Sequence, residues 1–505
     1  MVTVPETIPE TAPHTGCGPE RDTSRHTPRD ATAETPREAM AQTPGEASRD
    51  SVSGLPDGLA QSLPGIFEEL AREHRVTGAQ IALYHDGALH AHSYGTESAR
   101  TGRPVTQETA FPFGSVTKFF TAALVMQFVS DGDIDLDEPL ADLLPELRSP
   151  GDAGTGLGAA TVRQLLSHTA GLPDSIEFAD MRGPSYRRFA TACAQSPALH
   201  APGLAFSYSN AGYCLLGAVV EAVAGMDWWT AMDSCLLRPL GIEPAFLYDP
   251  RPGSGPAARS IADGHAVRAD SDTAEIVDHM TDLSLAAAGG LVGSAVDLVT
   301  AARLHLDDRV RFAHQHLLPE EAVRLMHEPV PAAQPFGLAD AWGLGLMSHN
   351  SADGVWFGHD GAVGGASCNV RLHPAASTAL ALTANSTAGP RLWEALVTEL
   401  RAAGLDLGHY RLPEPDAPQV TKPDAYVGTY ANGDLHLLVT PGPDGGLYLT
   451  RADYADYRLT IHTDDRFVAQ DHEHDGLPIV GRFVRERTGG PIVLLQYGGR
   501  ALQRL

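Results

Sequence analysis

Ser115 and Lys118 stand three residues apart in Phe113-Gly114-Ser115-Val116-Thr117-Lys118. On a helix that spacing puts both side chains on one face, about one turn apart. A serine hydroxyl is a poor nucleophile until a neighbouring base takes its proton, and a buried lysine with a lowered pKa can be that base. Lysine usage sharpens the reading, because among 36 lysine-plus-arginine positions only Lys118 and Lys422 are lysine. Where charge alone is needed this chain uses arginine, so a retained lysine marks a site that wants an amine able to lose its proton. A helix N-terminus at Ser115 would also favour the developing alkoxide.

Two further elements carry chemistry. Tyr208-Ser209-Asn210 precedes an apolar run from Ala211. A tyrosine beside a lysine ammonium is expected to have a lowered pKa and to shuttle protons, while the asparagine amide can hold Lys118 and a substrate carbonyl. The bland alternative is a loop tyrosine with a capping asparagine, and Tyr430-Ala431-Asn432 shows that the pattern recurs. His359-Asp360-Gly361-Ala362 falls on a predicted strand whose glycines would let a substrate backbone approach closely. His14, His85 and His474 also begin an HxG, so order and context, not the tripeptide, single out His359.

The elements that must position these residues can be traced along the chain. Residues 1 to about 55 are rich in Pro, Thr, Glu, Ala and Arg and poor in large apolar side chains, a composition expected to stay disordered. A helical pattern from Leu63 to Ala71 leads into a hairpin, Ile81 to Tyr84 and Leu89 to Tyr94, around Asp86-Gly87. Ser115 to Ser130 reads as a helix with Phe119, Leu124, Val125 and Phe128 on or near one face, stopped by Asp131-Gly132. A short helix around Leu165 enters a loop, Ala211 to Ala224 forms another, and Trp356 to Ala384 changes to glycine-punctuated strands. Strands at both ends with helices between predict an α+β domain over 56–410. A Pro-rich joint, 411–423, precedes closely spaced short segments from Leu435 to Tyr497, expected to form a small β-barrel or sandwich over 424–505.

Composition excludes more than it identifies. A net charge of -27 with a pI near 5.1 argues against a nucleic-acid or anionic-membrane partner. Neither a basic, apolar leader nor a spanning apolar run is visible, so the expected location is the cytoplasm. The five cysteines are scattered without metal spacing, and are read as reduced and mostly buried, with no metal and no cofactor.

Taken together, Ser115-Val-Thr-Lys118, Leu165-Leu166-Ser167-His168-Thr169-Ala170-Gly171-Leu172, Tyr208-Ser-Asn210 and Gly358-His359-Asp-Gly361 resemble the serine β-lactamase and penicillin-binding-protein superfamily, nearest its class C and esterase/D-peptidase branch. The resemblance runs from about Leu55 to Tyr410. It implies an antiparallel sheet flanked by helices, a helical subdomain carrying Tyr208, and a site between them. Ser115 would be acylated, Lys118 and Tyr208 would move protons, and Asn210 would orient substrate. The backbone N–H groups of Ser115 and Ala362 would form the oxyanion hole, with Gly361 beside the substrate. Many members have Lys-Thr-Gly where this chain has His359-Asp360-Gly361, which removes the usual grip on a β-lactam carboxylate.

The C-terminal segments, opening at Tyr426-Val427-Gly428-Thr429-Tyr430, resemble a lipocalin-like appendage. That two-domain layout is similar to penicillin-binding-protein-type thioesterases, which release and cyclise nonribosomal peptides. In that group a C-terminal arginine faces the cleft. Arg500 is the matching position, against the alternative of a solvated barrel arginine. The resemblance therefore implies a peptidyl thioester substrate, delivered by a carrier protein and carrying a D-residue at the acyl position, released as a macrolactam. The competing readings are a cytosolic esterase, D-aminopeptidase or transacylase using the same residues, and a catalytically idle binding module. The last has no need for all of Ser115, Lys118, Tyr208 and His359.

Overall fold

The computed structural model describes residues 55–148, 156–176, 185–251, 259–268, 274–278, 285–307, 315–408, 410, 417–421, 423–433, 435–442, 444–451, 456–471 and 478–505. The expected N-terminal extension up to residue 54, residues 411–416 of the Pro-rich joint, and Lys422 lie outside them.

The first folded strands arise where the sequence placed a tight turn. Asp86 and Gly87 both take positive φ, 40° and 89°, the two-residue geometry that matches the twist of paired strands. They join β1 (Gly78–His85) to β2 (Ala88–Gly95) in a register running from Gly78↔Gly95 to His85↔Ala88. Five later strands complete the antiparallel sheet: β3 (Ala341–Trp342), β4 (Met347–Ser351), β5 (Gly354–Val363), β6 (Ala366–His373) and β7 (Thr378–Ala384). The strand order is β2-β1-β7-β6-β5-β4-β3, so chain-distant β1 and β7 sit side by side.

Strand alternation sends the two faces of β1 and β7 into different cores. Ile81, Leu83, Leu380 and Leu382 pack with helices α1 (Leu59–Glu73) and α8 (Gly389–Ala402). Ala82, Tyr84, Ala379 and Ala381 join the larger core of the opposite face. Burial on both faces is why these strands read as continuous apolar runs. That larger core centres on α2 (Thr117–Ser130) and is shared by α3 (Val162–Leu166), α4 (Tyr186–Gln195), α5 (Asn210–Ala224), α6 (Ala286–Gly289) and α7 (Ala295–Ala302). The helix expected from Ser115 is buried nearly all round at α2, with Phe119, Phe120, Ala122, Ala123 and Met126 all enclosed, as befits a helix at the centre of a domain.

Beyond the joint, eight strands close into a barrel: β8 (Gly428–Asn432), β9 (Leu435–Pro441), β10 (Leu447–Arg451), β11 (Tyr457–Ile461), β12 (Arg466–Asp471), β13 (Ile479–Arg485), β14 (Ile492–Tyr497) and β15 (Arg500–Arg504). Closure is made by Tyr430↔Arg504 and Ala431↔Gln503. Tyr430, Leu437, Phe467, Phe483 and Leu502 fill the interior. The sequence reading named β9 to β14, had the domain open at Tyr426 to Tyr430, which overlaps β8, and did not name β15. The omitted signal for β15 was Gly498-Gly499, whose φ values of 55° and 75° turn a two-residue hairpin.

The barrel docks on the segment leading to α5. Gln496 Nε2 donates to the Phe206 carbonyl at 2.8 Å, Ala501 N–H to Ser207 Oγ at 3.2 Å, and Tyr208 N–H to the Gly499 carbonyl at 2.8 Å. Ala205 packs among Val484, Leu494 and Ala501. Cys193, Cys214 and Cys368 are buried thiols, and Cys17 lies outside the described residues.

Candidate active site

Ser115 sits in a 3-10 turn, Gly114–Val116, that runs directly into α2. The turn lies against β5. A Cβ added to Gly361 would collide with the Phe113 carbonyl and come within 3.0 Å of the Ser115 nitrogen, and one on Gly114, whose φ is 51°, would meet the Ala362 backbone at 2.9 Å. Both glycines are needed for this approach. β4 pairs only with Gly354–Gly358 of β5, so from His359 onward β5 has no strand on that side.

Lys118 is fully buried and donates to Ser115 Oγ at 3.1 Å, Asn210 Oδ1 at 2.7 Å and the Ala288 carbonyl at 2.8 Å. Two of these partners are carbonyl oxygens, which only accept. A neutral amine therefore commits its two N–H groups to Asn210 and Ala288 and leaves its lone pair facing the Ser115 hydroxyl. Burial brings the Lys118 pKa down to about 7, opposed by Cys214 and Asp174 and reinforced by Arg500.

Tyr208 and Asn210 are brought to this lysine by the end of the loop after α3. His168, in the left-handed region at φ 56°, accepts the Ser209 N–H on Nδ1 at 3.1 Å and stacks on Tyr208 at 4.3 Å between ring centres. Its own carbonyl accepts from Ser207 N–H at 2.8 Å. Ser209 caps α5 through Gly212 N–H and donates to the Pro173 carbonyl at 2.6 Å. The cap is thus Ser209, and Asn210 is the first helical residue.

Lys118 Nζ lies 5.0 Å from the centre of the Tyr208 ring. The expectation of a lowered tyrosine pKa is corrected: burial pushes the phenol well above its ordinary value, and the neighbouring Ser115 hydroxyl only partly offsets that. Tyr208 is therefore a neutral phenol whose buried hydroxyl has no well-formed hydrogen bond.

His359 donates from Nδ1 to the Asp360 carbonyl at 2.7 Å, which leaves Nε2 as a buried acceptor without a partner. Burial and then Lys118 lower its pKa to about 3, so the imidazole is neutral. Asp360 turns away into a bidentate pair with Arg371, at 2.7 and 2.9 Å, and accepts from Asn369 at 2.7 Å. Burial would raise its pKa, yet Arg371 and these hydrogen bonds hold it at about 2.

Arg500 reaches the site from the barrel. Its guanidinium lies 5.8 Å from the Tyr208 ring centre and donates to Asp174 at 3.1 Å. With Gly498 it lines a cavity of about 470 Å³ together with Ser115, Tyr208, His359, Gly361 and Ala362. A second cleft of about 1150 Å³, between α4 and the barrel, is bounded by Arg500, Gly498 and Asp174 as well. The structure thus brings all eight expected positions into one neighbourhood, six of them lining the cavity and Lys118 and Asn210 behind them. Sequence reasoning missed Asp174, the Arg371 partner of Asp360, and Trp342, which lines the cavity edge-on to the Tyr208 ring. No metal-binding cluster of His, Cys, Asp or Glu occurs among the described residues.

The β-lactamase family model matches residues 63–405. Penicillin-binding protein 4 of Amycolatopsis lactamdurans is 34% identical over 358 residues, covering 70% of this chain and 91% of that protein. Esterase EstB of Burkholderia gladioli is 34% identical over 203 residues, 36% of this chain and half of the esterase. Among solved structures, SurE is 67% identical, with a TM-score of 0.82 over 88% of this chain and 99% of SurE. A further structure, SurE with D-Leu, matches at 66% identity. The chain belongs to the serine β-lactamase and penicillin-binding-protein superfamily, with a closed eight-stranded barrel following its catalytic-type domain.

Proposed function

We propose that the protein is a serine acyltransferase that releases a peptidyl thioester as a macrolactam. In the first step Lys118 takes the Ser115 proton as Oγ attacks the thioester carbonyl. The C–S bond breaks, and the proton leaves with the thiol. In the second step the peptide's own N-terminal amine attacks the ester, its proton passes through the Lys118 and Tyr208 groups to Ser115 Oγ, and the amide forms. The N–H groups of Ser115 and Ala362 stabilise the oxyanion in each step. Asn210 and Gly361 orient the acyl chain, and His359 offers its free Nε2 as a fixed acceptor.

The observation that carries the transferase reading is that Arg500 and Gly498 of the barrel line the same cavity as Ser115. Water at about 55 M competes with one tethered amine, so cyclisation wins only where enclosure folds the peptide back, raising the effective molarity above that of water. A barrel over the cleft supplies such a wall. D-Leu bound to a 66% identical protein supports a D-residue at the acyl position. On this reading the thioester is delivered by a carrier protein in the cytoplasm.

The second reading, an esterase or D-peptidase with water as acceptor, is favoured by the EstB relative and differs only in the second step. Peptidyl thioester mimics ending in a D-residue separate the two by mass spectrometry, since the linear acid is heavier than the macrolactam by one water. Exclusively linear acid from a broad substrate set overturns the cyclase reading. Absence of any Ser115 adduct overturns both.

A further inference from the structure

Asp174 stands outside the four motifs, yet its carboxylate touches two of the site's groups from opposite sides. Oδ1 accepts from Asn210 Nδ2 at 3.1 Å, and Oδ2 from Arg500 at 3.1 Å. Its own carbonyl accepts the Ala211 N–H at 3.0 Å, which fixes it to the start of α5. We propose that Asp174 is a positioning residue that sets the direction of the Asn210 amide and, by pairing with Arg500, links the barrel to the catalytic lysine.

An ionised carboxylate only accepts hydrogen bonds, so the Asn210 NH2 must face Asp174 and its oxygen must face Lys118. The reversed amide would present N–H to Lys118. The amine would then accept that hydrogen with the lone pair that otherwise faces Ser115, and serine activation would be lost. Asp174 therefore decides which partner receives the lone pair. This rests on the reading of Lys118 as the base that activates Ser115.

The chain of contacts also carries charge. Lys118 is faced by Ser115 from its own element, by Asn210, Tyr213 and Cys214 from α5, and by Tyr208 just before it. His168 and Asp174 face it from the loop after α3, His359 from β5 and Arg500 from β15. Both histidines are held neutral by burial, whereas Asp174 and Arg500 bear opposite charges and act on Lys118 in opposite senses. A substrate carbonyl or carboxylate that draws Arg500 away from Asp174 changes both the amide's anchor and the lysine's field. Occupancy at the barrel is thereby reported to the base.

The test is the second-order rate of Ser115 acylation by a p-nitrophenyl acyl ester, followed across about pH 5 to 9 with the full chain. Asp174→Asn should lower the plateau by about ten- to a hundredfold and move the acid limb to lower pH by on the order of half a unit. Arg500→Gln should move that limb to higher pH, and the double variant should return it towards the parent position while the plateau stays low. Limbs that do not move, or that move in the same direction, overturn the proposal in favour of a merely structural role. Should Asp174→Asn not fold by circular dichroism, Arg500→Gln carries the test alone, and an unmoved limb overturns the link. A parent protein that acylates Ser115 with no acid limb near neutrality overturns the base reading instead.

Discussion

The backbone N–H of Tyr208 is paired with the carbonyl of Gly499 at 2.8 Å. The barrel's last hairpin thus holds the main chain of a residue in the Ser115 cavity. Arg500 is the very next residue and reaches the same cavity with its side chain. One turn therefore supplies both a latch for Tyr208 and a guanidinium at the rim of the cavity.

Removal of the nucleophile or its base should stop the reaction at its first step. Ser115→Ala should give no covalent adduct with a fluorophosphonate, read by intact mass. Lys118→Arg should lose on the order of a thousandfold in acylation rate, because a guanidinium does not deprotonate near neutral pH. Near-normal turnover in Lys118→Arg would sink the account of the buried amine.

The pH profile should report that amine. The active form has neutral Lys118, so kcat/KM should rise with unit slope below about 7, where the ammonium dominates, and level off above it. His359 is already neutral there, with a pKa near 3, and the Tyr208 phenol stays protonated, so neither should bend the curve between those values. An acid limb centred below pH 5 would show that a carboxylate, not Lys118, is the base.

Gly361→Ala tests the approach of β5 to the Ser115 turn. The added methyl meets backbone at Phe113, Val116 and Ser115, none of which can swing aside as a side chain does. Acylation should fall by about a hundredfold or more with the far-ultraviolet circular dichroism unchanged. Full activity in this variant would show that the oxyanion-hole geometry is not set by that contact.

Arg500→Ala and deletion of residues 420–505 should differ in a telling way. The point change should shift products from macrolactam to linear acid while Ser115 still acylates. The deletion also uncovers Ala205 and unlatches Tyr208, so it should slow acylation itself. Chromatography with mass detection, alongside burst amplitude, separates the two effects. Equal product ratios in the parent and Arg500→Ala would remove the arginine from substrate handling.

Local rules made much of this molecule legible in its sequence. Asp86-Gly87 specified a hairpin because both positions tolerate positive φ, and the barrel's alternating segments between Leu435 and Tyr497 declared themselves through their turns. Ser115 and Lys118 were readable because helical spacing converts sequence distance into spatial distance. Asp174 was not, since nothing local joins it to Asn210 across 36 positions or to Arg500 across 326. The Tyr208 phenol was misjudged for a related reason: its proximity to lysine was foreseeable, but its depth of burial, which outweighs that charge, belongs to the assembled fold.

The seam between barrel and catalytic domain closes contacts 290 and 294 residues apart, Phe206 to Gln496 and Ser207 to Ala501. β1 and β7 pair across comparable separations, so the order of assembly is set by synthesis, which supplies the barrel last. Domains fold in the order in which they are synthesised. Ser115, Lys118 and the sheet around them can therefore be in place while the Tyr208 segment still lacks its latch and Asp174 its arginine. The last hairpin acts as a completion signal, and a nascent or partly refolded chain is a compact protein without its full reactivity. Recovery of activity on refolding should accordingly lag behind recovery of secondary structure.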